Sequence, residues 1–130
     1  MSWAQKTPLE RRIEQQGLVD VRSVDSTIFV SLMYARADNF TGRILYHDLH
    51  TAYLLPETAR ALRKAQTELQ RRHPYLSLKV YDATRPMSVQ QHMWDVVKGT
   101  NRSIYVSNPA RGGGLHNYGL AVDITLCWRR

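Results

Sequence analysis

At 130 residues, 43% of them hydrophobic, the chain is long enough for one domain, 1–130, with a sizeable core, and too apolar to be disordered. The net charge of +7 invites a nucleic-acid reading, but the basic residues are scattered. The densest groups, Arg60-Arg63-Lys64 and Arg71-Arg72, read as a solvated helix face, and no basic stripe with interleaved aromatics appears, so nucleic acid is disfavoured as a partner. No apolar run approaches the roughly 18 residues of a membrane span. Met1 to Glu14 is polar and has no signal-peptide core, and Cys127, the single cysteine, excludes an internal disulfide; cytoplasm and periplasm both stay open.

In chain order, Pro8 to Gln16 reads as a short helix, with Leu9 and Ile13 on one face and Gly17 at its end. Ser26 to Tyr34 alternates like a strand. The polar, glycine-bearing stretch Ala35 to Arg43 reads as a loop. Pro56 to Arg72 is the clearest helix, with Pro56 at its first position and a stripe of Ala61, Leu62, Ala65 and Leu69; His73-Pro74 stops it. Leu76 to Asp82 is a second strand. Ser88 to Lys98 is a helix with Ser88 and Gln91 as a capping box and an apolar face of Val89, Met93, Val96 and Val97. Asn101 to Gly114 is a loop ending in three glycines. Their ordering cost suits either close approach of backbone to a ligand or a flexible rim. Helices and strands mix without a regular βαβ alternation, which predicts an α+β fold.

The most informative stretch is Gly114-Leu115-His116-Asn117-Tyr118-Gly119-Leu120-Ala121-Val122-Asp123. A histidine and an aspartate flank a glycine-bearing turn, and both side chains are good zinc ligands. Leu120, Val122, Ile124 and Leu126 fall on one face of the following strand, Ala121, Asp123 and Thr125 on the other. A carboxylate beside an apolar strand needs a partner. A cation shared with His116 meets that need, and so does a plain hydrogen-bonded His–Asp pair.

Three further segments accompany this one: Ala37-Asp38-Asn39-Phe40-Thr41-Gly42, Val80-Tyr81-Asp82-Ala83-Thr84-Arg85-Pro86, and Pro109-Ala110-Arg111-Gly112-Gly113. In this order, and over about Asp20 to Leu126, they resemble the D-alanyl-D-alanine dipeptidases, zinc enzymes known from glycopeptide resistance. The resemblance implies a fold shared with zinc D,D-carboxypeptidases and the hedgehog signalling domain, a small antiparallel sheet flanked by helices. It implies hydrolysis of free D-Ala-D-Ala, a small dipeptide substrate, to two D-alanines, with Zn2+ as cofactor. Within it, His116 and Asp123 match zinc ligands. Arg85 matches the arginine that polarises the scissile carbonyl; a cation that cannot deprotonate near neutral pH suits that role. Asp82 is placed to pair with Arg85 and orient it. Asp38 is placed to pair with the substrate ammonium and Phe40 to limit the pocket; both also suit ordinary loop structure.

Two departures from the family pattern stand out. The family has serine two residues before the zinc histidine, where this chain has Gly114, so a hydroxyl at this substrate-binding position is lacking. The family also carries a Glu-x-x-His motif in a segment beyond this strand. Its histidine is the third ligand and its glutamate the general base. No Asp, Glu or His follows Asp123 within the 130 residues, so the C-terminal part of the fold is expected to be missing from them. His47, His50, His73 and His92 stand in no recognisable metal-ligand motif. Two readings follow: a zinc dipeptidase, or a truncated, non-catalytic relative that folds and binds cell-wall peptides. A continuation into Glu-x-x-His would decide for the first.

Overall fold

The computed structural model describes residues 5–129; Met1 to Ala4, part of the polar N-terminus noted above, and Arg130 lie outside the described residues. Helix α1 (Pro8–Gln15) starts with a capping box: the Glu10 amide donates to Thr7 Oγ1 at 3.1 Å, and the Thr7 amide donates to Glu10 Oε1 at 3.0 Å. The same residues stitch the helix to the chain 40 positions on. Thr7 Oγ1 donates to the Asp48 carbonyl, the His50 amide to Glu10 Oε2, and the Tyr53 hydroxyl to Glu14 Oε2. Strand β1 (Val19–Asp20), helix α2 (Val21–Val24), strand β2 (Phe29–Val30) and strand β3 (Tyr53–Leu54) follow, then helix α3 (Pro56–Arg72), strand β4 (Leu76–Asp82), helix α4 (Met87–Val97) and strand β5 (Asp123–Trp128).

The strands form two small sheets flanked by helices. β1 and β3 pair antiparallel; the other sheet has the order β2-β4-β5. β4–β5 is antiparallel as expected, but β2 runs parallel to β4, so this sheet is mixed. Its centre is β4, whose Leu78 and Val80 are buried with Ile28, Leu54, Leu62 and Met93 in one core cluster.

α3 and β4 occupy the residues expected of them. Elsewhere local pattern misleads. The strand expected over Ser26 to Tyr34 shrinks to two residues, because Ser31 donates a last bond to the Val80 carbonyl and the chain then turns through Met33–Ala35. α4 begins at Met87 behind Pro86, with no side-chain cap. Ser88 lies inside the helix, and Val96 is exposed while Val89, Met93 and Val97 are buried.

On α3 the buried stripe is Ala59, Leu62 and Gln66, not Ala61 and Ala65. Gln66 is fully buried because it completes the end of the sheet. Its Nε2 donates to Ser77 Oγ at 2.7 Å, and its Oε1 accepts the Leu78 amide at 2.8 Å. Gln66→Leu should cost about 1–3 kcal/mol, the penalty of leaving a buried donor unpaired. A urea unfolding midpoint equal to that of the parent would show that water takes over these bonds.

β5 holds the edge of its sheet. By register, Ile124, Leu126 and Trp128 stand beside Val80, Leu78 and Leu76 on one face. Val80 and Leu78 are buried, yet their neighbours Ile124 and Leu126 are 46% and 52% exposed, and Trp128, beside Leu76, is 72% exposed. The apolar face of this strand is therefore open among the described residues. No helix among them is long and apolar enough to cross a membrane.

Candidate metal and dipeptide site

β4 ends at Asp82, and the next residues, Ala83 to Arg85, run beside the turn Leu115–Tyr118. Three hydrogen bonds zip the two segments. The Arg85 amide donates to the His116 carbonyl at 2.9 Å, Asn117 Nδ2 to the Arg85 carbonyl at 2.9 Å, and His116 Nδ1 to the Ala83 carbonyl at 2.8 Å. Gly119 closes the turn with φ of 73°, a left-handed backbone suited to glycine. A Cβ there would also press on Leu18 and on the Leu55 amide, each at 3.0 Å. β5 then opens on Asp123. A bulge between Val80 and Asp82 sets Asp82, not Tyr81, opposite Asp123. Backbone pairing thus brings the two segments that carry Arg85, His116 and Asp123 to one end of the sheet.

The imidazole is oriented by chemistry. A carbonyl can only accept, so Nδ1 carries the proton and Nε2 points at Asp123 Oδ1, 3.2 Å away. Either Nε2 is protonated and donates to the carboxylate, or both atoms hold a cation. Two donors about 2.1 Å from a tetrahedral zinc stand roughly 3.4 Å apart, so the observed pair fits a zinc ion with little movement. The Ala83 carbonyl supplies the hydrogen bond that commonly fixes the other nitrogen of a metal-ligating histidine.

Asp82 belongs to the same cluster: it, His116 and Asp123 each offer a donor atom within 4.8 Å of the others. Its oxygens are already engaged, however. Oδ1 accepts from the Tyr46 hydroxyl at 2.6 Å, and Oδ2 accepts from Arg85 Nη2 at 2.6 Å and Nε at 3.2 Å. The histidine nitrogen nearest to it is Nδ1, at 3.8 Å, which is committed to Ala83. Asp82 thus holds Arg85 rather than completing a metal shell. Burial pushes its carboxyl above the usual carboxylate range, against the pull of Arg85 and the Tyr46 hydroxyl. Burial also works against the Arg85 cation, but Asp82 more than offsets it and keeps the guanidinium pKa above its ordinary value.

Arg85 is held from three sides. Besides Asp82, its Nη1 donates to Gln90 Oε1 at 2.9 Å, and its Cζ lies 5.5 Å from the centre of the Tyr34 ring. Of its five N–H groups, one on each Nη is left for a ligand. Phe40 meets Tyr34 edge to face, with ring centres 6.2 Å apart. Arg85, His116, Asp123, Phe40 and Gly114 all line a cleft of about 220 Å³, below the range of drug-sized pockets and suited to a small ligand. Asp38 is not brought there. It is bound to Arg36 Nε at 2.9 Å, and its side chain is 73% exposed.

The glycine run serves close approach. Gly113 has φ of 73°, and a Cβ there would collide with Asn117 Oδ1 and come within 3.1 Å of Met87. At Gly113 the backbone thus comes close to its own chain rather than to a ligand, while Gly112, part of the mobile rim predicted for Gly112 to Gly114, is exposed. Sequence reasoning missed Tyr34, Tyr46 and Gln90. Gln90 alone carried a faint signal, lying between Val89 and Met93 on the flank of the apolar face of α4.

Without metal, the His116–Asp123 pair makes stability depend on pH. Burial lowers the pKa of His116, but the hydrogen bond to Asp123 and the bond to Ala83 outweigh it and leave the pKa raised. The hydrogen bond to His116 holds Asp123 below its ordinary value. A raised histidine stabilises fully below its unfolded pKa and loses this as pH rises through its folded value. A lowered aspartate stabilises above its unfolded pKa and loses this as pH falls through its folded value. The stability gap between parent and Asp123→Asn, both metal-free, should therefore be widest from about pH 4 to 6.5 and close above the raised histidine value. Urea titrations across that range check it; a gap that does not change with pH contradicts the pairing.

Residues 14–127 match the peptidase M15 family, described as D-ala-D-ala dipeptidase. The D-alanyl-D-alanine dipeptidase of Escherichia coli (strain K12) is 31% identical over 109 residues, which are 84% of this chain and 53% of that protein. The chain spans about half the length of this curated relative. With the α+β fold of small sheets and flanking helices and a family match that covers most of its residues, the chain belongs to the peptidase M15, D-ala-D-ala dipeptidase family.

Proposed function

We propose that these residues form the carbonyl-polarising and metal-holding half of a zinc dipeptidase that hydrolyses D-Ala-D-Ala to two D-alanines. The observation that carries this reading is the convergence of Arg85, His116 and Asp123 on one small cleft, with His116 Nε2 and Asp123 Oδ1 only 3.2 Å apart. His116 and Asp123 would hold the ion. When bound, zinc supplies Lewis-acid polarisation and a source of nucleophile at neutral pH. The remaining chemistry falls to the chain. Arg85, fixed by Asp82 and Gln90, offers its two unengaged N–H groups to the scissile carbonyl oxygen. Because this cation is oriented before substrate arrives, it stabilises the charge that develops on that oxygen without reorganising. Phe40 and Tyr34 wall the cleft.

The test is D-alanine release from D-Ala-D-Ala by the natural polypeptide that carries these residues, before and after chelation. Release that chelation stops and zinc restores is the expected result. Release unaffected by chelation, or no release from zinc-loaded protein, would overturn the reading.

A further inference from the structure

We propose that Ser107 is a substrate-binding residue of this cleft. Its hydroxyl binds the main chain of the dipeptide, from the space that a side chain at position 114 would otherwise take. This rests on the dipeptidase reading above. Ser107 and Gly114 face the same 220 Å³ cleft as Arg85, His116 and Asp123. Gly114 has φ of −129°, extended backbone open to any residue, so conformation does not explain a glycine there. Its neighbour does. A Cβ built on Gly114 would stand 2.6 Å from Ser107 Oγ and 3.2 Å from Ser107 Cβ. Turning the hydroxyl away would relieve the first contact but not the second. A side chain at position 114 would thus require the Ser107 hydroxyl to rotate and its Cβ to give way by a few tenths of an ångström, so the two side chains compete for this part of the wall.

The backbone of Ser107 is fixed relative to the site. Gln90, 1% exposed, donates from Nε2 to the Ser107 carbonyl at 2.8 Å while its Oε1 holds Arg85 Nη1. One buried amide therefore sets the distance between the serine and the arginine. The Ser107 hydroxyl itself takes part in no hydrogen bond among the described residues. A hydroxyl both donates and accepts. The side chains of D-Ala-D-Ala are methyl groups, so the polar atoms it can meet are those of the main chain: ammonium, peptide group or carboxylate.

The experiment exploits the competition between the two side chains. Kinetics on D-Ala-D-Ala are measured with the natural polypeptide, and dipeptide affinity with its metal-free form by NMR titration, for Ser107→Ala, Gly114→Ser and the double variant Ser107→Gly/Gly114→Ser. Loss of one hydrogen bond weakens binding at least about 3- to 10-fold, the neutral case, and more if its partner is charged. Ser107→Ala should therefore raise KM and Kd by at least that factor and change kcat less than about twofold. Gly114→Ser should lower Tm and weaken binding at least as much. The double variant should recover Tm and bring KM to within about threefold of the parent, because it moves one hydroxyl to the other side of the same space.

Parental KM and Kd for Ser107→Ala would overturn the proposal, and so would a double variant no better than Gly114→Ser. Dipeptide binding without D-alanine release, still weakened by Ser107→Ala, would sink the dipeptidase reading and leave Ser107 in its role. No dipeptide binding by the parent would overturn both.

Discussion

Arg85→Lys is expected to lower kcat/KM for D-Ala-D-Ala by about 100- to 1,000-fold, the usual cost of removing one preorganised donor to a developing oxyanion. Lysine keeps the charge but gathers its donors on one nitrogen. It cannot bridge Asp82 and Gln90 and also present a fork to the cleft. The lysine variant is more informative than Arg85→Ala. Removing the cation altogether strands Asp82, which is 1% exposed, without its partner, and breaking such a buried pair costs about 3–5 kcal/mol. Turnover should be measured beside Tm and zinc content, so that loss of fold or metal is not read as loss of chemistry. A lysine variant within about threefold of the parent would remove the arginine from the reaction.

In the natural polypeptide that carries these residues, His116→Ala should abolish stoichiometric zinc binding. Even loss of a group that only orients a ligand weakens metal affinity by about 10- to 100-fold; loss of Nε2 removes the bond itself. The 130 residues contribute His116 and Asp123, half of a four-coordinate sphere. Expressed by themselves, they should lose zinc on dialysis and release no D-alanine at a useful rate. A polypeptide that carries these residues together with further donors should retain the metal, because it can complete the four-coordinate sphere. Metal analysis after dialysis, run side by side, checks both statements. If the 130-residue chain keeps one zinc and turns over the dipeptide, Asp82, the third donor of the cluster, completes the shell after all.

Much of this architecture is legible in the residues because it is written locally. Pro56 and His73-Pro74 punctuate α3, and the alternation of Leu76 to Asp82 marks β4. The Arg85 and His116–Asp123 motifs stand out by residue type, and the structure sets them around one cleft. What stayed hidden depends on partners far along the chain. Gln66 and Gln90 look like surface amides until Leu78 and Arg85 are placed beside them. Tyr46 and Tyr34 gain meaning only when the loop before β3 folds back against Asp82 and Arg85. The register of β5 follows its pattern, but which of its faces another element covers does not. Periodicity reports an apolar face, not the presence of something to bury it.

That open face bears on how long the site holds together. Asp123 is the first residue of an edge strand whose ladder to β4 is not reinforced by deep burial of Ile124, Leu126 or Trp128. Segments of this kind open at free energies well below that of global unfolding. Each opening would part Asp123 from His116, which stays anchored to Ala83 by its other nitrogen. In amide hydrogen exchange of the 130 residues by themselves, the β5 protons should therefore lose protection before those shared between β2 and β4. The arginine behind this strand, clamped by Asp82 and Gln90, keeps its place through every such event.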